Sequence, residues 1–127
     1  MCYNYTIATK ETTMHLTLNI GLARDGLSNI GAGTALRDLN SLGFTILKHA
    51  GHTSDTEQTL VVDVVHRGSA QMVGNNLFHL AVLLGQDCIA VVNEDTGART
   101  LIGPRADKWL PFNPAYFLNL DGTRLSN

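Results

Sequence analysis

Hydrophobic residues recur at a spacing of two in several short stretches of this chain. Leu16, Leu18 and Ile20 alternate with polar neighbours, which is the pattern of a half-buried strand. Residues 60–65 are rich in β-branched side chains and apolar on both faces except at Asp63, which indicates a covered central strand. Further strands are predicted at 44–47, 87–92, 99–102 and 116–120.

Two segments between these strands repeat their apolar residues at helical spacing. The first has Ser28 or Asn29 as a candidate cap and Gly43 as its C-terminal stop. The second follows Ser69, another candidate cap, and ends at Gly85. The apolar stripes comprise Ala32, Ala35, Leu36, Leu39 and Leu42 in the first segment, and Ala70, Val73, Leu77, Leu80 and Leu84 in the second. Both segments are predicted to be helices.

The order of these elements predicts the fold class. Strand, helix, strand, strand, helix, strand is the split βαβ pattern of ferredoxin-like α+β sandwiches. We expect a four-stranded antiparallel sheet with both helices on one face. Because the strands are apolar on both sides, the face without helices needs a cover from elsewhere. The pattern therefore favours an oligomer of identical subunits.

Length and composition narrow the functional classes. A chain of 127 residues with 44% hydrophobic content fits a single domain, placed at 14–127 behind a flexible arm at 1–13. The formal net charge of -2, with 9 scattered basic residues, offers no surface for nucleic acid. No apolar run approaches the roughly 18 residues of a membrane span and no signal-peptide block is seen, so we expect a soluble, cytoplasmic protein. Cys2 and Cys88 suggest neither a disulfide nor a metal site.

Polar side chains gather at two junctions of the predicted elements. Glu57 stands at the mouth of the strand 60–65, beside the polar loop 49–55, where a carboxylate can face a ligand or be simply solvated. Gln86 and Asp87 emerge between the second helix and the next strand. The predicted topology could bring Glu57 and Gln86 into one cleft across a subunit interface.

Other candidate side chains have ordinary structural explanations. His49 and His52 enclose a glycine, but their spacing fixes no third ligand, so no metal site is predicted. Trp109 and Phe112 could stack on a ligand base, although small domains commonly use such aromatic residues in the core or at a subunit seam. Neither alternative is decided by the sequence.

Two ordered motifs resemble one known family. Residues 56–62 read TEQTLVV, and after one helix residues 84–91 read LGQDCIAV. A glutamate ahead of a Thr-initiated hydrophobic strand, then a helix, then Gln-Asp-Cys and another hydrophobic strand, resembles the phage S-adenosylmethionine lyases, formerly regarded as hydrolases. The resemblance covers residues 56–92, with weaker support from the opening strand and residues 120–122. That family's fold is similar to GlnB-like homotrimers with active sites between subunits, which agrees with the uncovered sheet face.

The resemblance implies roles for particular residues. Glu57 matches the family's essential carboxylate, and Gln86 with Asp87 matches the polar pair beside the nucleoside. The residues expected to contact substrate are Gln86, Asp87, His49 and Asn19. The chain lacks the tyrosine that related enzymes carry before Glu57, and His49 or His52 is expected in that space. No cofactor and no metal ion is implied.

The implied reaction is intramolecular. The carboxylate of S-adenosylmethionine attacks its own γ-carbon and expels 5'-methylthioadenosine, leaving L-homoserine lactone. If Glu57 instead activates water, the product is homoserine. Depletion of S-adenosylmethionine in the host cytoplasm would blunt host restriction and methylation, as a phage counter-defence. Two alternatives stay open: a non-catalytic nucleotide-binding trimer that acts as a sensor or phage sponge, and a structural oligomer without a ligand.

Overall fold

The described chain is a succession of strands with two helices between them. The computed structural model describes residues 13–24, 31–53, 57–110 and 117–124. Its elements in chain order are β1 (Thr13–Arg24), α1 (Ala32–Ser41), β2 (Thr45–Thr53), β3 (Glu57–Arg67), α2 (Ala70–Leu83), β4 (Ile89–Asn93), β5 (Arg99–Ile102) and a 3-10 helix (Ala106–Trp109). Thr13, which the prediction placed in the arm, belongs to β1, and residues 1–12 lie outside the described part. Ser28, Asn29 and Phe112 also lie outside it.

The strands form one antiparallel sheet in the order β2-β3-β1-β4-β5. The predicted α+β class, an antiparallel sheet with two helices, is confirmed, and the arrangement is compatible with a ferredoxin-like fold. β3 is an interior strand as expected, while β1 lies at the centre because it pairs with both β3 and β4. The expectation of four strands was one too few, since β5 pairs with β4 and widens the sheet.

The main core lies between the sheet and both helices. Leu16, Leu18 and Ile20 of β1 are at most 2% exposed and pack in this cluster, as their alternation predicted. The helices contribute Ala35 and Leu39 from α1 and Val73, Leu77, Leu80 and Ala81 from α2. Each large aliphatic side chain buried here stabilises the fold by about 1.5–3 kcal/mol relative to leaving it in water. Both helices therefore cover the same face of the sheet.

The opposite face of the sheet is mixed: β3 and β4 are apolar on both sides as expected, with Val61, Ala90 and Val92 buried on this face, whereas β1 is polar here. Thr17 and Asn19 of β1 are buried polar residues on this face. The Thr17 hydroxyl lies 2.7 Å from Asp63 Oδ1 and 2.6 Å from Glu94 Oε2. Phe117 is fully buried here with Ala90 and Val92, packed against Leu101. The chain thus supplies part of the cover that the sequence pattern assigned to other subunits.

The segment predicted as the polar loop 49–55 is largely strand, so that prediction was wrong. β2 continues to Thr53 and pairs with β3 along its length, with one register irregularity between Ile46 and Lys48. Backbone hydrogen bonds to β3 stabilise this part of β2, although its sequence has no alternating apolar pattern. Within the described residues, β2 is an edge strand, which tolerates exposed polar side chains such as that of His49.

Smaller boundary differences occur at two other predicted strands. The predicted strand 87–92 begins only at Ile89, because residues 86–88 form the connection from α2. At 116–120 the described residues show a single bridge between Leu118 and Arg124 instead of a strand. The predicted strand at 99–102 is confirmed as β5.

The second predicted helix matches α2 at both ends. The hydroxyl of Ser69 accepts a hydrogen bond from the backbone N–H of Met72 at 3.1 Å, which satisfies one of the free donors of the first turn. Gly85 follows the helix with φ of +67°, a backbone conformation that residues with a Cβ rarely adopt. None of the helices in the described chain has the length and apolar character needed to cross a bilayer.

Replacing Ser69 with Ala should lower the free energy of unfolding by about 1 kcal/mol, because the N–H of Met72 loses its acceptor. Urea denaturation followed by circular dichroism measures this change. Ser41→Ala is the matched control, since the Ser41 hydroxyl only donates to the Arg37 carbonyl near the end of α1. An equal loss of stability in both variants would contradict a capping role for Ser69.

Candidate functional site

A cavity of about 430 Å³ opens on the face of the sheet that carries no helix. Its floor is formed by residues of all five strands, and its walls come from the connection between α2 and β4, the 3-10 helix and residues 118–124. The lining residues from the strands include Asn19, Gly21, His52, Thr59, Ala90 and Leu101. The walls include Gln86, Asp87, Cys88, Trp109, Leu118, Gly122 and Arg124. Polar and apolar groups thus converge on one concave surface.

Three of the predicted site residues lie together in this cavity. Asn19, Gln86 and Asp87 all line it, although they come from β1 and from the connection between α2 and β4. His49 is exposed on β2 and is not among the lining residues. Glu57 opens β3 opposite Arg24, and its side chain lies outside the described part of the structure. Its backbone stands two positions before Thr59, which lines the cavity.

Asp87 links the loop after α2 to the 3-10 helix. The indole Nε1–H of Trp109 donates to Asp87 Oδ2 at 3.2 Å, and Lys108 Nζ lies 3.4 Å from the same oxygen. Arg105 Nε is 3.9 Å from Oδ1, and the Arg105 backbone N–H donates to the Asp87 carbonyl at 2.9 Å. The carboxylate therefore fixes the ring of Trp109 against the cavity wall.

These contacts set the charge of Asp87. Its side chain is only 17% exposed, and this burial acts to raise the pKa. The hydrogen bond from Trp109 and the charges of Lys108 and Arg105 outweigh the burial and lower the pKa below the ordinary value of 3.8. Asp87 is thus an anion at neutral pH whose charge is already engaged by protein groups.

The pKa of the neighbouring thiol, Cys88, is shifted in the opposite direction. Burial, and next the negative charge of Asp87, raise the pKa of Cys88 to about 11. A thiol with that pKa stays protonated at neutral pH, and the thiolate is the reactive form. Cys88 therefore lines the cavity as a protonated thiol.

One wall of the cavity is the C-terminal segment, defined as residues 117–124. The side-chain amide of Asn19 donates to the Leu118 carbonyl at 3.2 Å and accepts from the Leu118 N–H at 2.8 Å, much as a neighbouring strand would. His52 Nε2 lies 2.8 Å from the Leu120 carbonyl, which can only accept, so this nitrogen carries a proton. Two lining side chains therefore hold the C-terminal segment on the sheet.

The histidine pair of β2 is separated by the strand geometry. His49 and His52 are three positions apart, and such residues point to opposite faces of a strand. His52 lines the cavity and His49 does not. The described ranges also contain no cluster of three His, Cys, Asp or Glu side chains suited to a metal ion.

Sequence reasoning missed how the cavity walls are assembled. The contact between Trp109 and Asp87 joins residues 22 positions apart, and the contact between Asn19 and Leu118 joins residues 99 positions apart. Neither leaves a periodic trace in the sequence. Trp109 itself carried a usable signal, because a tryptophan just outside a predicted strand is either packing or a ligand surface.

Comparison with known proteins gives no match for this chain, whether with protein-family models, curated proteins or solved structures. The interpretation of the site therefore depends on the chemistry of its own residues. Those residues are a carboxylate held by two cations, two amides, an indole and a histidine around one cavity.

The lowered pKa of Asp87 predicts an acid-dependent loss of stability. Because the pKa of Asp87 is lower in the folded than in the unfolded state, its ionised carboxylate stabilises the fold fully at pH values above the unfolded-state pKa. This stabilisation is lost as the pH falls through the folded-state pKa. Asp87→Asn should cost about 1–2 kcal/mol of unfolding free energy at pH 7, and the difference from wild type should shrink below about pH 4. Urea denaturation at a series of pH values measures it.

Asp107→Asn is the matched control for this measurement. Asp107 lies on the 3-10 helix that Asp87 contacts, and its carboxylate is exposed. It should change stability by no more than about 0.5 kcal/mol. A difference between wild type and Asp87→Asn that is constant down to pH 2 would contradict the assignment.

Gly122→Ala should loosen the C-terminal segment. Gly122 has φ of +89°, and a Cβ there would lie 2.8 Å from the His52 ring, which must then leave the Leu120 carbonyl. The backbone strain alone costs about 1–2 kcal/mol. Hydrogen exchange should become faster at the amide of Leu118, whereas Gly51→Ala, where a Cβ meets nothing within 4 Å, should leave it unchanged. Unaltered exchange in Gly122→Ala would show that the segment is held otherwise.

Proposed function

We propose that this protein is an S-adenosylmethionine lyase that releases 5'-methylthioadenosine and L-homoserine lactone. The observation that carries the proposal is the convergence of Asn19, Gln86 and Asp87 on one cavity beside the start of β3. These residues come from distant parts of the sequence: Gln86 and Asp87 belong to the motif at residues 84–91, and Asn19 belongs to the opening strand, which supports the resemblance more weakly. Their common position is what a shared substrate site requires.

The size and lining of the cavity support a small-molecule substrate. Its volume of about 430 Å³ falls in the range of roughly 300–1,000 Å³ usual for small-molecule sites. The amide of Gln86 offers both donors and an acceptor, while Ala90, Leu101 and Trp109 supply apolar surface. A nucleoside with a flexible amino-acid arm needs this combination of flat apolar contact and polar edges.

The chemistry requires no nucleophile from the protein. The carboxylate oxygen of the substrate forms a bond to its γ-carbon as the carbon–sulfur bond breaks, and the electron pair stays on sulfur as a neutral thioether. Opposite charges on carboxylate and sulfonium disappear in this step, so a cavity poor in water favours it over the separated charges. The protonated thiol of Cys88 is consistent with a reaction in which the substrate attacks itself.

The protein's contribution in this proposal is orientation. Holding the methionine arm in the attacking conformation can supply roughly 7 kcal/mol or more in well-positioned intramolecular reactions. Glu57 binds the substrate ammonium and aims the carboxylate, and Gln86 hydrogen-bonds the adenine edge. Asn19 has its amide engaged by Leu118, so it acts mainly by shaping the cavity wall.

The proposal includes a homotrimer with a site at each subunit interface. The cavity opens on the face without helices, which residues 117–124 cover only in part. A second subunit on that face would exclude water from the cavity and complete the site. This accounts for how a small domain could enclose a substrate that is charged at one end.

Incubation with S-adenosylmethionine, with the first products identified by NMR, tests the reaction. Wild type should release 5'-methylthioadenosine and homoserine lactone, and Glu57→Gln should lower kcat/KM by about 100-fold because the reacting arm is misplaced. Glu94→Gln is the matched control, since Glu94 lies outside the cavity lining, and it should stay within about twofold of wild type.

Other outcomes of this experiment reject parts of the proposal. Homoserine as the first product would indicate a hydrolase in which Glu57 activates water. Full activity in Glu57→Gln would show that the mechanism does not need this carboxylate. Full activity in a protein that size-exclusion chromatography with light scattering shows to be a monomer would reject a site at a subunit interface.

A non-catalytic nucleotide-binding trimer is the second candidate, and one observation favours it. Asp87 is the one carboxylate in the described lining of the cavity, and it is paired with Lys108 and Arg105. A cavity of this kind can bind a nucleoside without acting on it. Saturable binding of S-adenosylmethionine with no release of 5'-methylthioadenosine would establish this alternative.

A further inference from the structure

Trp109 is the single tryptophan of the chain, and it lines the cavity. It ends the 3-10 helix and is only partly buried. Neither apolar cluster of the described residues includes it. A large aromatic side chain that lines a cavity can contact a ligand bound there.

Two independent features fix the position of this ring. Asp87 accepts the indole N–H at 3.2 Å and is itself held by Lys108 and Arg105. Gly103 precedes the 3-10 helix, and a Cβ there would lie 2.5 Å from the Asp87 carbonyl oxygen. The chain entering the 3-10 helix therefore approaches the loop of Asp87 so closely that a side chain would force the two apart. The polar edge of the indole is engaged, and its aromatic surface is what the cavity can use.

We propose that the aromatic surface of Trp109 stacks on the planar base of the ligand, with Asp87 as the residue that positions the ring. This rests on the proposed function, in which the cavity receives an adenosyl compound. Stacking needs only a flat π-surface, and an amide can read the adenine edge through its paired donor and acceptor. Gln86 precedes Asp87 and lines the same cavity. In this proposal Gln86 contacts the edge of the base, and Trp109, held by Asp87, contacts its face.

Asp87 has a different role here from the direct substrate contact that the sequence motif implied. Its carboxylate is engaged by three protein groups, the indole N–H and two cations. It acts on the ligand through Trp109. Loss of the carboxylate should therefore change base binding and the environment of the ring together.

Tryptophan fluorescence reports this directly because the chain holds one such residue. Titration of wild type with adenosine or 5'-methylthioadenosine should change the emission saturably. S-methylmethionine, which carries the sulfonium without a base, should leave the emission unchanged. A response to S-methylmethionine alone would place the sulfonium on the ring as a cation–π contact and overturn the proposal.

Binding constants for 5'-methylthioadenosine by calorimetry separate the roles of the two residues. Trp109→Leu should weaken binding by about 5- to 150-fold, the usual effect of removing an aromatic partner from a base, and Trp109→Phe by less. Asp87→Asn keeps an acceptor for the indole N–H, so its loss of affinity and its red shift of emission should be smaller than those of Asp87→Ala. Asp107→Asn, the neighbouring exposed carboxylate, should match wild type.

The outcomes distinguish this proposal from the function on which it rests. Cleavage of S-adenosylmethionine with the same KM in Trp109→Leu and wild type would overturn the stacking role and leave the lyase intact. Base-dependent fluorescence changes without any cleavage would support the stacking role and overturn the lyase. Asp87 variants that lose unfolding free energy but keep both emission and affinity would show that Asp87 is structural and overturn its positioning role.

Discussion

The alternation of side chains along β1 is the constraint on which both faces of the molecule depend. Leu16, Leu18 and Ile20 face the helices, while Thr17 and Asn19 face the cavity side. Because β1 is the central strand and pairs with β3 and β4, its register sets the register of its neighbours. A slip of one residue would place leucines in the cavity and an asparagine in the core, at a cost of several kcal/mol.

The same strand also determines how the C-terminal segment is held. Asn19 is 6% exposed, and a buried amide without partners costs about 1–3 kcal/mol. The backbone of Leu118 would be in a similar position, since among the described residues its only ladder partner is Arg124, through a single bridge. Each group satisfies the other through two hydrogen bonds, and Phe117 adds apolar burial beside them. A side-chain amide thus takes the place of a missing strand.

Local signals made part of this fold predictable from the sequence. The cap at Ser69, the helical stripe after it and the stop at Gly85 lie within one short window, and α2 matches them at both ends. β5 was predicted at its observed bounds from a turn followed by a short apolar run. β2 was cut short because the residues from Lys48 to Thr53 are stabilised by pairing with β3 and carry no apolar pattern of their own.

The candidate site was predictable to a lesser degree. The motif at residues 84–91 indicated Gln86 and Asp87, the opening strand contributed Asn19, and these three residues share a cavity. The walls depend instead on contacts between distant residues, such as Trp109 with Asp87 and His52 with Leu120. Such contacts depend on where the later segments of the chain pack on the sheet, and the spacing of residues along the sequence does not predict that position.

Charge around the cavity limits what the site can bind. Asp87 and Arg124 are the charged residues of the described lining, and Lys108 and Arg105 lie beside Asp87 but are not among the lining residues. The side chains of Arg105 and Lys108 are 64% and 47% exposed, so water and salt screen them substantially. A substrate with a sulfonium and an ammonium still needs a nearby anion that is not already engaged. In the proposed mechanism that anion is Glu57, so the proposal requires this carboxylate more for the cationic substrate than for the neutral nucleoside product.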